Sequence, residues 1–364
     1  MEMGFPVPMD NQKKNRVTIR AVAKQLPPHS RSTEEIIPFI ETWLAGQDER
    51  FIRKVLKIFG NAGVSRRYSI MGPEEVFTRT SFEEKNDIYI RECTRLAEAS
   101  LLKALDKAGW QADDIDYLIT VSCTGIMIPS VDAYLVNSLR MKQGVVRLPV
   151  TEMGCAAGVS GIIYASNFLR ANPGKKAAVV AVESPTATFQ LTDFSMANIV
   201  STAIFGDGAA AILLSSDEKD TGPYIAAEDM YHFFDAIHMM GFRLTNTGLQ
   251  MILDETVPET IAAHFPKIIH PFLEKNGITI NEVDHFIFHP GGRKILQTVD
   301  ELFGSLGKNI HETRDVLNQY GNMSSVTVLY VLERFLEKEI AAGDTGLMLS
   351  FGPGFSAQSV LLKW

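Results

Sequence analysis

Residues 151–171 read TEMGCAAGVSGIIYASNFLRA, and residues 318–338 read NQYGNMSSVTVLYVLERFLEK. In each, a glycine precedes one chemically capable side chain, Cys155 in the first and Asn322 in the second. Small residues then lead into an amphipathic run. The two positions are 167 residues apart, 155 to 322. Self-similarity at a fixed offset dictates architecture before any single element does. It predicts two related halves, each presenting one functional side chain at the head of an equivalent helix.

Three further echoes keep the same order. The run from Asp116 to Ser122 matches the run from Asp284, with His289 falling where the first copy has Ser122. The apolar stretch Ala177 to Val182 matches Leu347 to Phe351. FGDG from Phe205 leads into an apolar run, as FGPG from Phe351 does. This last pair lies closer together, which places an insertion of about twenty residues after Glu183 in the first half. The expected organisation is a flexible polar arm over residues 1–15, an N-terminal half over 16–220 and a C-terminal half over 221–364.

A chain of 364 residues that is 46% hydrophobic can bury a substantial core. Its net charge of −8 gives no support for binding nucleic acid or an anionic membrane. Three cysteines, an odd number, argue for a reduced cytoplasmic setting rather than a disulfide framework. No stretch approaches the roughly eighteen continuous apolar residues of a membrane span, and the N-terminus lacks a signal-like apolar core.

Arg16 to Ala23 alternates as a strand. Ser32 to Leu44 reads as a helix capped by Ser32 or Thr33, with Glu34 and Glu35 favourable to its dipole. Further helices are predicted over Arg50 to Phe59 and Asp87 to Gly109, the latter closed by Gly109, and another from near Pro129. Strands are predicted over Tyr117 to Ser122 and Val145 to Val150. The second half repeats the scheme: helix Glu259 to Lys275, strand Val283 to Phe288, helix Gly291 to Phe303, a strand near Val316, helix Met323 to Ala341 and two final strands. Alternating apolar helices and strands indicate a layered α/β fold with buried sheets. Duplication suggests five layers, αβαβα, with the helices after Cys155 and Asn322 in the central one.

At a helix start, Cys155 meets backbone N–H groups and the positive dipole end, which would lower a thiol pKa from about 8.5 toward roughly 5–7. Gly154, Gly158, Ala156 and Ala157 leave room beside the sulfur. His289 stands at a strand end in His-Pro-Gly-Gly, displayed toward a crevice. The other histidines, among them His264, His270 and His285, show no metal-ligand spacing, so no metal is expected. Cys, His and Asn together fit a hydrolase-like Cys/His pair. They equally fit a thioester-exchange site in which His and Asn donate to one carbonyl oxygen, stabilising an enolate formed as a carboxylate is lost. The internal duplication favours the second, since papain-like proteases lack that symmetry.

These residues resemble the thiolase superfamily, and within it the type III polyketide synthases of the chalcone synthase kind. The resemblance spans nearly all of residues 16–364 and rests on MGCAAG around Cys155, FGDGAAA from Phe205, HPGG from His289, YGNMSS around Asn322 and FGPG from Phe351. It implies a thiolase fold in which Cys155 carries the starter and the growing chain. His289 and Asn322 would bind the malonyl thioester carbonyl and promote decarboxylation. The substrates implied are acyl-CoA and malonyl-CoA, without a further cofactor, and the assembly implied is a homodimer in which Ile128 reaches the partner's cavity. A priming ketoacyl synthase of fatty-acid synthesis, fed by acyl carrier protein, and a non-catalytic thiolase-fold partner protein are the alternatives.

The resemblance also assigns secondary positions. Phe205 matches an aromatic gatekeeper, and Met251 stands where plant members have a second gatekeeper phenylalanine. Phe242 replaces a small cavity-lining glycine. Cys123 takes a position that is cysteine in some bacterial naphthol-forming relatives. Thr188 and Ser324 are further cavity candidates. Arg66, with Arg53, Lys54, Lys57 and Arg67, lies in the region that meets CoA phosphates, although Ser65 replaces a plant lysine and Ser350 a plant glycine.

Overall fold

The computed structural model describes residues 16–304 and 307–364; the arm expected over residues 1–15 lies outside the described residues. The first half contains β1 (Val17–Gln25), β2 (His29–Ser32), α1 (Thr33–Trp43), α2 (Glu49–Gly60), β3 (Arg66–Ser69), α3 (Pro73–Val76), α4 (Phe82–Ala108), β4 (Tyr117–Val121), α5 (Val131–Ser138), β5 (Val146–Val150), α6 (Ala157–Ala171), β6 (Lys176–Glu183), α7 (Met196–Ile204) and β7 (Gly208–Ser215). The second contains β8 (Tyr224–His232), β9 (Met240–Thr245), β10 (Gly248–Leu253), α8 (Val257–Lys275), β11 (His285–Phe288), α9 (Arg293–Gly304), α10 (His311–Tyr320), α11 (Thr327–Leu336), β12 (Thr345–Gly352) and β13 (Ser356–Lys363).

Duplication is visible in the sheet. The run β4-β6-β7-β1 of one half corresponds to β11-β12-β13-β8 of the other. In both, the first pair is parallel and the next two are antiparallel. The two sheet layers are not separate: Val17 pairs with Ile225 and Thr18 with Tyr224, so hydrogen bonding runs unbroken through nine strands. They still form two layers, because α6 packs on β4 and β6 and also on β12 and β13, while α11 packs on β11 and also on β1 and β7.

Strand alternation sorts the side chains between layers. Along β6, Ala177, Val179 and Ala181 face the central helices, and Ala178, Val180 and Val182 face α4 and α5. On β12, Met348 faces inward while Leu347, Leu349 and Phe351 join the outer core under α8 and α9. Three helix layers thus enclose two sheet layers.

Local signals account for most boundaries. Ser32 and Glu35 form a capping box at α1. Gly109, in the left-handed region at φ 68°, closes α4. Three expectations are corrected. The segment around Val316 is helix α10, since Thr313, Val316 and Leu317 bury one helical face. Pro129 does not open α5, which begins at Val131, with Ser130 in the N-cap position. Helix α11 is shorter than expected, running from Thr327 to Leu336 after a turn at Ser324–Val326. The β9–β10 hairpin, a two-stranded sheet of its own, was not anticipated.

Candidate active site

Cys155 lies in a tight turn, Gly154–Ala156, at the head of α6. Gly154 holds φ 50°, and a Cβ there would fall 2.6 Å from Pro353 Cδ, so only glycine serves. The equivalent turn before α11, Ser324–Val326, faces it. Close approach of the two helix heads depends on Gly158, whose missing Cβ would stand 2.3 Å from the Ser325 carbonyl oxygen.

Across this contact the Cys155 thiol donates to Ser324 Oγ at 3.6 Å. Cys123 Sγ is also 3.6 Å from that hydroxyl. Ser324 itself sits at φ 50°, a left-handed conformation uncommon for serine. Asn322 holds it there, its Oδ1 accepting from the Ser324 backbone N–H at 2.8 Å. Asn322 Nδ2 donates to Gly291 O at 3.2 Å, which leaves one amide hydrogen for a ligand. Backbone bonds from Asn322 N to Ile204 O (2.8 Å) and from Gly206 N to Asn322 O (3.1 Å) fix Phe205 beside this strand-like segment.

His289 leaves β11 with its backbone N–H donating to Leu349 O at 2.9 Å. Both ring nitrogens are buried without a protein partner. Cys155, His289 and Asn322 line one cavity of about 690 Å³, together with Phe205, Phe242, Met251, Cys123 and Ser324. Phe242 and Met251 are cross-strand partners on the β9–β10 hairpin.

Electrostatics correct the expectation of a low thiol pKa. Burial pushes the Cys155 thiol up to about 12, against hydrogen bonds from Ser324 and Asn322 that favour the thiolate. Burial likewise pushes the His289 imidazole down to about 3. Desolvation in the cavity outweighs the head of a helix. A proton handed from sulfur to imidazole would place opposite charges in one cavity, where each would favour the other.

Two candidates fall elsewhere. Thr188 lines a smaller neighbouring cavity and donates its hydroxyl to Pro185 O at 2.7 Å. Arg66 lines neither cavity; it is exposed on β3 and donates to Ser30 Oγ at 2.8 Å. Arg53, Lys54 and Lys57 are exposed on α2. Arg67, by contrast, is buried, donating to Thr202 O and Thr33 Oγ1, and burial lowers its pKa to about 10. It is a packing residue, not a surface cation.

Glu183 was missed. Its buried carboxylate accepts from Cys123 N (2.9 Å), Thr124 Oγ1 (2.8 Å) and Ser325 Oγ (2.7 Å), tying the Cys123 loop to the turn before α11. The available signal was a carboxylate closing the strand KAAVVAVE, whose residues from Ala177 to Val182 are all apolar. Among the described residues no cluster of side chains could hold a metal ion, and no helix is long and apolar enough to cross a membrane.

Comparison with known proteins decides the family. Residues 8–218 match the N-terminal domain of chalcone and stilbene synthases, and residues 232–364 match the C-terminal domain. The chain belongs to the chalcone and stilbene synthase family. Among its relatives in this family, a phloroglucinol synthase from Pseudomonas fluorescens is 30% identical over 343 residues, 93% of this chain and 96% of that protein. A 1,3,6,8-tetrahydroxynaphthalene synthase from Streptomyces peucetius is 32% identical over 354 residues, 95% of this chain and 93% of that protein. The crystal structure of 1,3,6,8-tetrahydroxynaphthalene synthase from Streptomyces coelicolor, a bacterial type III polyketide synthase, superposes with a TM-score of 0.89 at 30% identity, covering 95% of this chain and 99% of that one. The thiolase fold is thereby established, and the chain is an acyltransferase of the type III polyketide synthase class. Enzymes of this family use acyl-CoA and malonyl-CoA.

Proposed function

We propose that this enzyme loads an acyl-CoA starter, or malonyl-CoA in that role, on Cys155 and extends it by iterative decarboxylative Claisen condensation with malonyl-CoA. The released chain closes to a phenolic or pyrone product. The observation that carries this reading is the convergence of the Cys155 thiol, two unpartnered His289 nitrogens and the Asn322 amide on a single cavity.

In loading, the Cys155 sulfur adds to the thioester carbonyl while His289 takes the thiol proton, and the CoA thiolate leaves and is protonated. In extension, the malonyl carboxylate departs as CO₂ and its electron pair moves into the enolate. Asn322 Nδ2–H and a His289 N–H donate to the enolate oxygen, a role commonly worth about 3–4 kcal/mol per donor. The α-carbon then attacks the Cys155 thioester carbonyl, the carbon–sulfur bond to Cys155 breaks and frees the thiolate, and the lengthened chain, now carried on CoA, returns to Cys155 by a thioester exchange that releases CoA. Cations on the exposed face of α2 (Arg53, Lys54 and Lys57), together with Arg66, suit the CoA phosphates. Arg293 ties the exit of the HPGG turn to the C-terminal end of α2 through Asn61 O at 3.0 Å.

Membership of the family supports this reading over a priming ketoacyl synthase or a non-catalytic partner protein. Its test is incubation of purified enzyme with labelled malonyl-CoA and assorted acyl-CoAs, with mass spectrometry of products and of Cys155. Cys155→Ala is expected to abolish condensation yet keep decarboxylating malonyl-CoA. Absence of both released polyketide and acylated Cys155 in the wild type would end the proposal.

A further inference from the structure

The reaction cavity owes part of its wall to the β9–β10 hairpin, on which Phe242 and Met251 are paired across the strands. These strands pair only with each other and not with the nine-stranded sheet. At the base of the hairpin Met240 and Leu253 pack on the core under α8 and α9, whereas toward its tip Leu244 is 59% exposed. Among the described residues, two hydrogen bonds join the hairpin to the rest of the protein. Gln190 Nε2 donates to Leu249 O at 3.3 Å, and Gln250 Nε2 donates to Asp193 Oδ2 at 2.9 Å. Both partners, Gln190 and Asp193, belong to the stretch that follows Glu183, where the first half carries its insertion.

That stretch is a firm support. Between the turn Pro185–Thr188 and α7 it has no regular structure, yet side chains from three helices take up its carbonyls. Lys85 Nζ of α4 donates to Phe189 O (3.0 Å) and Trp43 Nε1 of α1 to Leu191 O (2.7 Å). Asn198 Nδ2 of α7 donates to Gln190 O (2.9 Å) and Asp193 O (2.6 Å). Buried Gln190 also donates to Thr188 O at 2.9 Å, so one amide spans the support and the hairpin. Leu249 and Met251 share one face of β10 and line the cavity, while Gln250 points the other way to Asp193. The strand is thus held both through its backbone and through its outer face. We propose that Gln190 and Asp193 are positioning residues for condensation: through the hairpin they fix the wall formed by Phe242 and Met251, and thereby the length at which the chain on Cys155 stops growing. This rests on the reaction proposed above and concerns how many extensions it makes.

Gln250→Leu cuts one of the two bonds at a half-buried site, and Gln190→Leu combined with it cuts both. Amide hydrogen exchange across residues 240–253 is expected to quicken by about tenfold in the double variant, with that of β12 unchanged. Labelling of Cys155, followed by mass spectrometry, should lose its preference for iodoacetamide over a bulkier alkylating agent. With malonyl-CoA, the main wild-type product should fall by about tenfold and chains of other lengths appear, while malonyl-CoA decarboxylation falls less. Gln250→Leu alone should show the same changes to a smaller degree, which decides the matter if the double variant does not fold. The proposal is overturned if exchange across the hairpin does not change. It is equally overturned if exchange quickens while product lengths and the size preference at Cys155 stay as in the wild type, since the two bonds would then serve stability alone. Exchange and labelling need no turnover. A wild type that releases no polyketide would therefore overturn the proposed reaction, while these two readouts still decide whether Gln190 and Asp193 position the wall.

Discussion

Asn322 carries two jobs in one carboxamide, and they can be separated. Its oxygen holds Ser324 in a left-handed turn, and its nitrogen keeps one hydrogen directed at the cavity. Asn322→Asp retains the acceptor and removes the donor. Malonyl-CoA decarboxylation is expected to fall about 10²–10³-fold in that variant, and the melting temperature to fall as well, because the Gly291 carbonyl loses its donor. An unchanged rate of acetyl-CoA formation would remove Asn322 from the enolate. The residue scale is also where the sequence was most informative about the site. Cys155 and Asn322 stood out because duplication marked equivalent positions with different side chains, and His289 because a glycine turn displayed it. Thr188 and Arg66 were less legible, since which of two adjoining cavities a hydroxyl faces, or which edge an arginine leaves, depends on packing between distant segments. The ionisation of Cys155 was unreadable for the same reason: a helix head is local, whereas desolvation is a property of everything around the sulfur.

Among the elements, the proposed chemistry depends most on the crossing of α6 and α11. Gly158→Ala places a Cβ against the Ser325 backbone carbonyl, which has no side-chain freedom with which to yield. The heads of the two helices must part, and with them the Cys155 turn moves from Ser324 and Asn322. The variant should lose about 1–3 kcal/mol of stability and roughly 10²-fold in condensation rate. Gly161→Ala, further along α6, meets only the Val179 side chain at 2.6 Å. It should cost comparable stability by denaturant titration but much less activity; equal losses of activity would show that the crossing distance does not set the geometry. The start of α1 and the Gly109 end of α4 were legible from their caps, whereas α4 begins at Phe82 after Ser81, five residues before the expected Asp87. The β9–β10 hairpin was not, because most of its residues are only partly buried and neither face alternates cleanly. The strand expected near Val316 failed on the assumption that duplication preserves every element; only the first half keeps the edge strand β5.

At the scale of the whole molecule, one surface is unfinished. Ile128 is 95% exposed, and the loop after β4, α5 and the edge strand β5 also expose Ile126 (42%), Tyr134 (40%) and Val146 (47%). Isolated exposed apolar residues need no explanation, but a group on one edge does. β5 is hydrogen-bonded to β4 on one side only, and an edge strand left uncovered invites pairing. A second copy of the chain, related by a twofold axis, would cover both the edge and the apolar group with the same residues. Ile128 also lines the catalytic cavity at its rim, so the partner would close part of that cavity. Light scattering is therefore expected to give twice the chain mass. Ile128→Asp combined with Val146→Asp should yield a folded monomer by circular dichroism and scattering, with condensation reduced more than malonyl-CoA decarboxylation, since a breached wall exposes the growing chain to water. A wild type that runs as a monomer at micromolar concentration would contradict the dimer, and a monomeric variant with full product yield would show that the cavity is complete within one chain.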